Sequence, residues 1–261
     1  LYDSLDRDLI EARKLQQTLV RDRFRDFGAG TASLMLRPSG HVGGDLVGSF
    51  EIDANRIVLF GVDVSGHGVA SAMMTARLAG LLSGASPDQN IALRIGADGR
   101  RDAWSPAEVA QRLNRLMIDD LQVDQYFTLA YAEINLANGA CELVQAGHPH
   151  PLLLRATGGV EVLGRGGLPV GLIADARYQL TEVQLAPGDR LLLMSDGVTE
   201  CANASGAQLG TEGLAKIIIE NKSLKSPDLL EALLWRLGRF AGGEDFQDDV
   251  SGLIFDYRGL P

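Results

Sequence analysis

Arg56-Ile57-Val58-Leu59-Phe60-Gly61-Val62-Asp63-Val64-Ser65-Gly66-His67-Gly68 is the stretch whose reading decides the fold. From Ile57 to Val62 the run is almost continuously apolar, which fits a strand buried on both faces rather than one with a wet face. Asp63 ends that run, and a bare carboxylate in such a place needs a partner. The Ser-Gly-His-Gly stretch can turn the chain sharply, since glycine accepts backbone conformations closed to other residues. Val69 to Ser83 is then rich in Ala, Leu and Met at helical spacing. Strand, acidic end, turn and helix follow one another without a break.

Three more acidic turn motifs are spread along the chain: Gly43-Gly44-Asp45, Ser195-Asp196-Gly197-Val198 and Asp248-Asp249-Val250-Ser251. Asp196 follows the apolar Leu191-Leu192-Leu193-Met194, and the Asp248-Asp249 pair precedes an apolar run in mirror image. Singly, each is ordinary turn chemistry, with Asp bonding its own backbone and Gly taking positive φ. Jointly, carboxylates at strand ends can converge on one rim of a sheet, and a cluster of hard oxygens suits a divalent cation such as Mg or Mn. The combination reads as a two-metal hydrolase.

The flanking pattern sets the fold class. Strands are expected at Ser33 to Leu36, Leu46 to Ile52, Tyr126 to Leu136, Ala140 to Gln145, Pro151 to Arg155, Val160 to Leu163, Tyr178 to Leu185, Arg190 to Met194 and Val250 to Phe255. Ala137-Asn138-Gly139 is a hairpin signal. Ser105-Pro106-Ala107-Glu108 opens a helix with a capping box and should carry it to about Leu121. Two more helices are expected near Thr211 to Glu220 and Pro227 to Phe240. Residues 84 to 103 lack periodicity and read as a long loop, either mobile or functional. Successive strands joined by short turns imply antiparallel sheets. The chain is therefore expected to be α+β: an α-β-β-α sandwich with helices on the outer faces. Residues 1 to about 24 read as a charged helix with Leu5, Leu9, Ala12, Leu15 and Leu19 on one stripe. Fewer than three heptads leave coiled-coil pairing as a homodimer possible but not secured, and two readings stay open: packing on its own domain, or the end of a signalling helix leading in from an upstream domain. The division is thus 1–24 as a linker or signalling helix and 25–261 as the main domain.

Composition narrows the partners. A net charge of −10 supplies no basic surplus for a nucleic acid. No apolar stretch approaches the ~20 residues needed to cross a bilayer, and the charged start is unlike a signal peptide, so the expectation is a cytoplasmic protein without membrane insertion. Cys141 and Cys201 have no zinc-ligand spacing. Gly147 and Ala207 stand six residues after them, which removes the cysteine-arginine phosphate loop of thiol phosphatases.

In order along the chain come Gly43-Gly44-Asp45, Asp63-Val64-Ser65-Gly66-His67-Gly68, Ala146-Gly147-His148-Pro149 with Pro151-Leu152-Leu153, Gly167-Leu168-Pro169-Val170-Gly171, Ser195-Asp196-Gly197-Val198-Thr199-Glu200 and Asp248-Asp249-Val250-Ser251. This series resembles the metal-dependent protein phosphatases of the PPM (protein phosphatase 2C-like) class, in the bacterial branch of SpoIIE and RsbU, over roughly residues 10 to 257. The resemblance implies a serine/threonine phosphatase with two Mn2+ or Mg2+ ions at one edge of the paired sheets. It implies Asp45, Asp63, Asp196 and Asp248 as ligands acting through a metal-activated water, the Val64 carbonyl as a further oxygen, and Gly44, Gly66, Gly197 and Asp249 in support. It also implies the output domain of a signalling protein, coupled to an upstream sensor or receiver domain and acting on a phosphorylated anti-sigma-factor antagonist.

Other residues stay open at this point. His67 could donate a proton to the leaving oxygen or simply open a helix. His148 and His150 fit packing or a hydrogen bond to a neighbouring loop better than metal ligation, and His41 reads as a loop residue. Arg94, Arg100 and Arg101 are phosphate-clamp candidates by charge alone. Two rivals are weighed: a phosphatase fold used as an inactive scaffold, which the four aspartates oppose, and a nucleotide cyclase, which Leu46 and Val47 after Gly-Gly-Asp oppose.

Overall fold

The computed structural model describes residues 14, 16, 18, 22–40, 42–66, 68–121, 124–243 and 245–260. The expected 1–24 helix falls largely outside these residues, as do His41 and His67. The chain opens with β1 (Phe24–Asp26), β2 (Gly30–Arg37), β3 (Asp45–Glu51) and β4 (Arg56–Val64), followed by α1 (Val69–Leu81). A short hairpin, β5 (Leu93–Ile95) and β6 (Arg101–Ala103), precedes α2 (Pro106–Arg115). Then come β7 (Phe127–Asn135), β8 (Ala140–Ala146), β9 (Leu152–Leu154), β10 (Val160–Val162), β11 (Leu180–Gln184) and β12 (Arg190–Met194). The last elements are α3 (Asp196–Thr199), α4 (Gly210–Glu220), α5 (Ser226–Ala241) and β13 (Val250–Tyr257).

Two antiparallel sheets pack face to face, in the orders β1-β2-β13-β12-β9-β10 and β11-β8-β7-β4-β3. The period-two alternation of strands builds the layers. On β12, Leu191 and Leu193 join the core between the sheets, whereas Leu192 and Met194 join the layer beneath α4 and α5. On β13, Leu253 and Phe255 face inward and Val250 and Ile254 face those helices. The β4 strand has no polar face because α1 covers the side that the opposite sheet does not, and Ile57 to Val62 includes no exposed position. The expected α-β-β-α sandwich is the architecture found.

Most expected elements lie within a few residues of their sequence positions. The Ser105 capping box forms, with Ser105 and Glu108 satisfying each other's backbone amides. That helix does reach Leu121, but Leu116–Leu121 has the wider π-type turn. Gly139 turns the β7–β8 hairpin at φ 74°. The expected loop at 84–103 is instead built: it holds a 3₁₀ turn at Pro87–Gln89 and the β5–β6 hairpin. Strands of three residues are too short to leave a periodic signal. Arg56 fastens this hairpin to the sheet by pairing with Asp53, Asp102 and Glu133. Strand β1 at Phe24 had no sequence reading as a strand.

Among the described residues, no helix is long and apolar enough to cross a membrane.

Candidate metal and phosphatase site

Register alone brings the first two aspartates together: Asp45, the first residue of β3, stands directly opposite Asp63 near the end of β4. Like charges in that position repel, so the pair must be balanced by something else. The second pair comes from the other sheet. β12 ends beside the start of β13, with Met194 opposite Gly252, and the Ser195 amide donates to the Ser251 carbonyl at 2.9 Å. Asp196 therefore opens α3 next to Asp248 and Asp249. The Ser195 hydroxyl accepts from the Ser251 amide at 3.0 Å and donates to the Asp249 carbonyl, which locks the junction.

Asp249 joins the two sheets. One of its carboxylate oxygens accepts from the Ser39 amide and hydroxyl at 2.7 and 3.0 Å, and the other from the Gly44 amide at 2.7 Å. These bonds hold the β2–β3 loop, and with it Asp45, against the start of β13. The glycines are explained by close approach. A Cβ on Gly44 would lie 2.7 Å from the Val64 carbonyl oxygen, and one on Gly197 would fall on the Asp249 carbonyl. Gly66 has open space but sits at φ 85°, where other residues are strained.

Electrostatics mark the cluster as unfinished. Burial, then Asp63, pushes the Asp45 carboxyl well above its ordinary range, with the Ser251 and Ser195 hydroxyls acting in the opposite sense. Burial, then Asp196 and Asp248, pushes Asp63 up to about 7. Asp196 is raised by burial and then by Asp248 and Glu200. Each of these carboxylates thus feels others of the set, across both sheets. Among the described residues, no Lys, Arg or His forms an ion pair with Asp45, Asp63, Asp196, Asp248 or Asp249. Asp45 is 2% exposed, and its Oδ2 is buried with no hydrogen-bond partner. Hard, anionic, partly orphaned oxygens are the donor set that Mg or Mn takes. Among the described residues, no group of three or more His, Cys, Asp and Glu side chains is placed so that it could hold a metal ion. The fit therefore rests on the donor chemistry and the orphaned oxygen.

The other candidates resolve differently. His148 is buried, shares a hydrogen bond of 2.8 Å between its Nδ1 and Thr128, and is pushed down by burial to about 4. Thr128 is the register partner of Asp63, so this neutral histidine backs the site rather than lining a metal. His150 bonds the Leu163 carbonyl. Arg94 pairs with Asp102 and stacks on Trp104, and Arg100 pairs with Asp98, so both are engaged within the hairpin region. Cys141 is buried and its thiol is pushed up to about 12, which is no nucleophile. Sequence reasoning missed Ser39 and Thr128, and it quoted Ser195 and Ser251 within their motifs without a role, since a single Ser or Thr carries no distinguishing pattern. It also missed Gln16, whose side-chain amide donates to the Gly43 carbonyl and accepts from the Gly43 amide beside Asp45.

Known proteins are similar to this chain in sequence and in fold. Phosphoserine phosphatase RsbP of Bacillus subtilis is 29% identical over 194 residues, covering 74% of this chain and 45% of that protein. Phosphoserine phosphatase RsbU of the same organism is 25% identical over 239 residues, 90% of this chain and 67% of that one. The chain thus spans less than half the length of RsbP. The PP2C domain of SiaA from Pseudomonas aeruginosa has the same fold, with a TM-score of 0.79, 22% identity and 98% of each chain covered. The model of the Stage II sporulation protein E (SpoIIE) family matches residues 53–258, and the chain belongs to that family of PP2C-type phosphatase domains.

Proposed function

We propose that this chain is a metal-dependent protein serine/threonine phosphatase. The observation that carries the reading is the convergence of Asp45 and Asp63 from one sheet with Asp196 and Asp248 from the other, with no cation among the described residues to balance them. On this reading Asp45, Asp63, the Val64 carbonyl, Asp196 and Asp248 hold two Mn2+ or Mg2+ ions. Such a pair, when bound, supplies Lewis-acid activation of water and neutralises phosphate charge. The chain's own contribution is to fix the carboxylates. Asp249 anchors the β2–β3 loop, Ser195 fixes the β12–β13 junction, and buried, neutral His148 supports Thr128 beneath Asp63. His67 stays a candidate proton donor outside the described residues.

The RsbP and RsbU names support a phosphoserine protein as substrate, and a phosphorylated anti-sigma-factor antagonist in the cytoplasm is the specific proposal. Residues 1–24 would then link an upstream sensor or receiver domain to the phosphatase domain at 25–261. The Gln16 clasp on Gly43 gives that segment a direct hold on the Asp45 loop.

Hydrolysis of p-nitrophenyl phosphate with and without Mn, in the native chain and in Asp63→Asn, tests the chemistry. Metal-dependent turnover lost in the variant supports it. No turnover with any divalent metal, on that substrate or on a phosphoserine protein, would leave the inactive-scaffold reading in its place.

A further inference from the structure

We propose that the groove between α5 and the end of β2 is a docking site for an acidic segment of the phosphoprotein substrate, an inference that rests on the phosphatase reading above. Helix α5 buries Leu229, Leu230, Leu233 and Leu237 on one face. Trp235 and Arg239 stand one turn apart on another face. Trp235 is 61% exposed, a large aromatic surface that the core does not use, and the Arg239 guanidinium stacks 5.2 Å from its ring centre. Arg37, the last residue of β2, closes the other side of the groove, which encloses about 520 Å³. Gly242 and Gly243 also line it, and a Cβ at either would meet nothing within 4 Å, so the space stays open.

Charge and chemistry choose the occupant. The chain carries 34 acidic against 24 basic residues, so an acidic peptide needs a local basic site to bind it. Among the described residues, neither Arg37 nor Arg239 forms an ion pair, whereas Arg25, Arg56, Arg155 and Arg190 all do. Guanidinium forks match carboxylates in geometry, and Trp and Arg are among the residues in which binding energy concentrates at protein interfaces.

Position ties the groove to the reaction. Phe246 lines both this groove and a second cavity of about 390 Å³ that reaches Gly197 and Asp248. Arg37 is the register partner of Val250, two residues beyond Asp248. The groove with the two arginines thus adjoins, through Phe246, the cavity that leads to Asp248, which is the path proposed for a peptide with its phosphoserine at the aspartates. Glu200 and Asp245 line the intervening cavity, which places the preferred acids some residues away from the phosphoserine rather than next to it.

The test uses Trp235 as its own reporter. The chain has two tryptophans, so Trp104→Phe leaves a single one. In Mg-containing buffer, the full chain is titrated with an unphosphorylated glutamate-rich peptide, a serine peptide of equal length and inorganic phosphate. The expected result is a saturable fluorescence change with the glutamate peptide alone, weakened about tenfold or more by Arg37→Ser or Arg239→Ser. In parallel, the same substitutions raise KM for a phosphoserine peptide carrying distal glutamates and leave p-nitrophenyl phosphate turnover unchanged. Arg239→Glu should shift the preference toward a lysine-bearing peptide. No saturation by the glutamate peptide overturns the proposal, and so does an equal response to inorganic phosphate, which would mark a simple anion site. Because peptide binding needs no turnover, loss of hydrolysis with intact Trp235 binding would fault the phosphatase reading instead.

Discussion

Asp189 and Asp45 are each 2% exposed, and they meet that burial in opposite ways. Asp189 lies just before β12, and every part of its carboxylate is engaged: Arg155 at 2.8 Å and the amides of Ala156 and Ala186 at 2.9 Å each. Burial alone would raise it, but those amides and Arg155 win and hold it below the ordinary carboxylate range. At the other end of β12, some 20 Å away along an extended chain, Asp196 joins Asp45 and Asp63 in a cluster of raised carboxyls. There an oxygen of Asp45 has no partner and no guanidinium intervenes among the described residues. A buried acid kept for structure is saturated by its neighbours. The acid proposed to bind metal is held in place but left short of positive charge.

The sharpest way to break this comparison is to neutralise each end in turn. Asp63→Asn should lower metal-dependent phosphatase turnover more than about a hundredfold, beyond the range typical for residues that only support ligands. Its thermal stability without metal should hold or rise, because one repulsive charge is gone. Asp189→Ala should do the reverse. We expect a loss of about 2–3 kcal/mol by urea unfolding, below the cost of a wholly buried pair because the Arg155 side chain is 27% exposed. Activity per folded molecule should be retained. If Asp189→Ala abolishes turnover while folding normally, the division between the two ends fails.

Asp249→Ala tests the hinge between the categories. It frees Ser39 and Gly44 without removing a proposed ligand. A loss of metal affinity of about 10–100-fold, read by calorimetry with Mn, would mark a positioning role. An unchanged affinity would mean that the β2–β3 loop needs no such anchor.

The smallest effect is on pH dependence. Asp63, Asp45 and Asp196 all have raised values in the folded chain, so between the ordinary carboxylate range and about 7 the native state binds more protons than the unfolded one. Stability of the metal-free protein should therefore fall as pH rises from about 4 to 7. Asp189, with its lowered value, acts only at lower pH, where it loses stability on acidification. Asp63→Asn should flatten the neutral part of the profile. Added Mn, which favours the ionised carboxylates, should offset the fall. A melting temperature that climbs from pH 4 to 7 without metal would contradict the assigned electrostatics.

Much of this was legible in the chain itself. The apolar run before Asp63 reported a strand buried on both faces, and the succession of strands joined by short turns reported antiparallel sheets in a sandwich with helices outside. The four aspartates proposed as ligands stand out by motif, as do Gly44 and Gly197, because a tight turn beside a carboxylate leaves a Gly-Asp or Asp-Gly signature. The β5–β6 hairpin left no such mark, since three-residue strands held by Arg56 depend on contacts distant in sequence. Trp235 is similar: on a helix of suitable pattern it reads as one more apolar residue, and only the packed structure shows it outward beside Arg37.

Sequence by itself determined the order of the longer elements, the strand-end acids and the family likeness, because local backbone chemistry and hydrophobic period are written residue by residue. Tertiary structure decided which acids are satisfied and which are not. That Asp249 spends both oxygens on Ser39 and Gly44 while Asp45 keeps one unpartnered depends on groups about 200 residues apart in the chain meeting at one edge of two sheets. No local pattern encodes the field in which a carboxylate ends up.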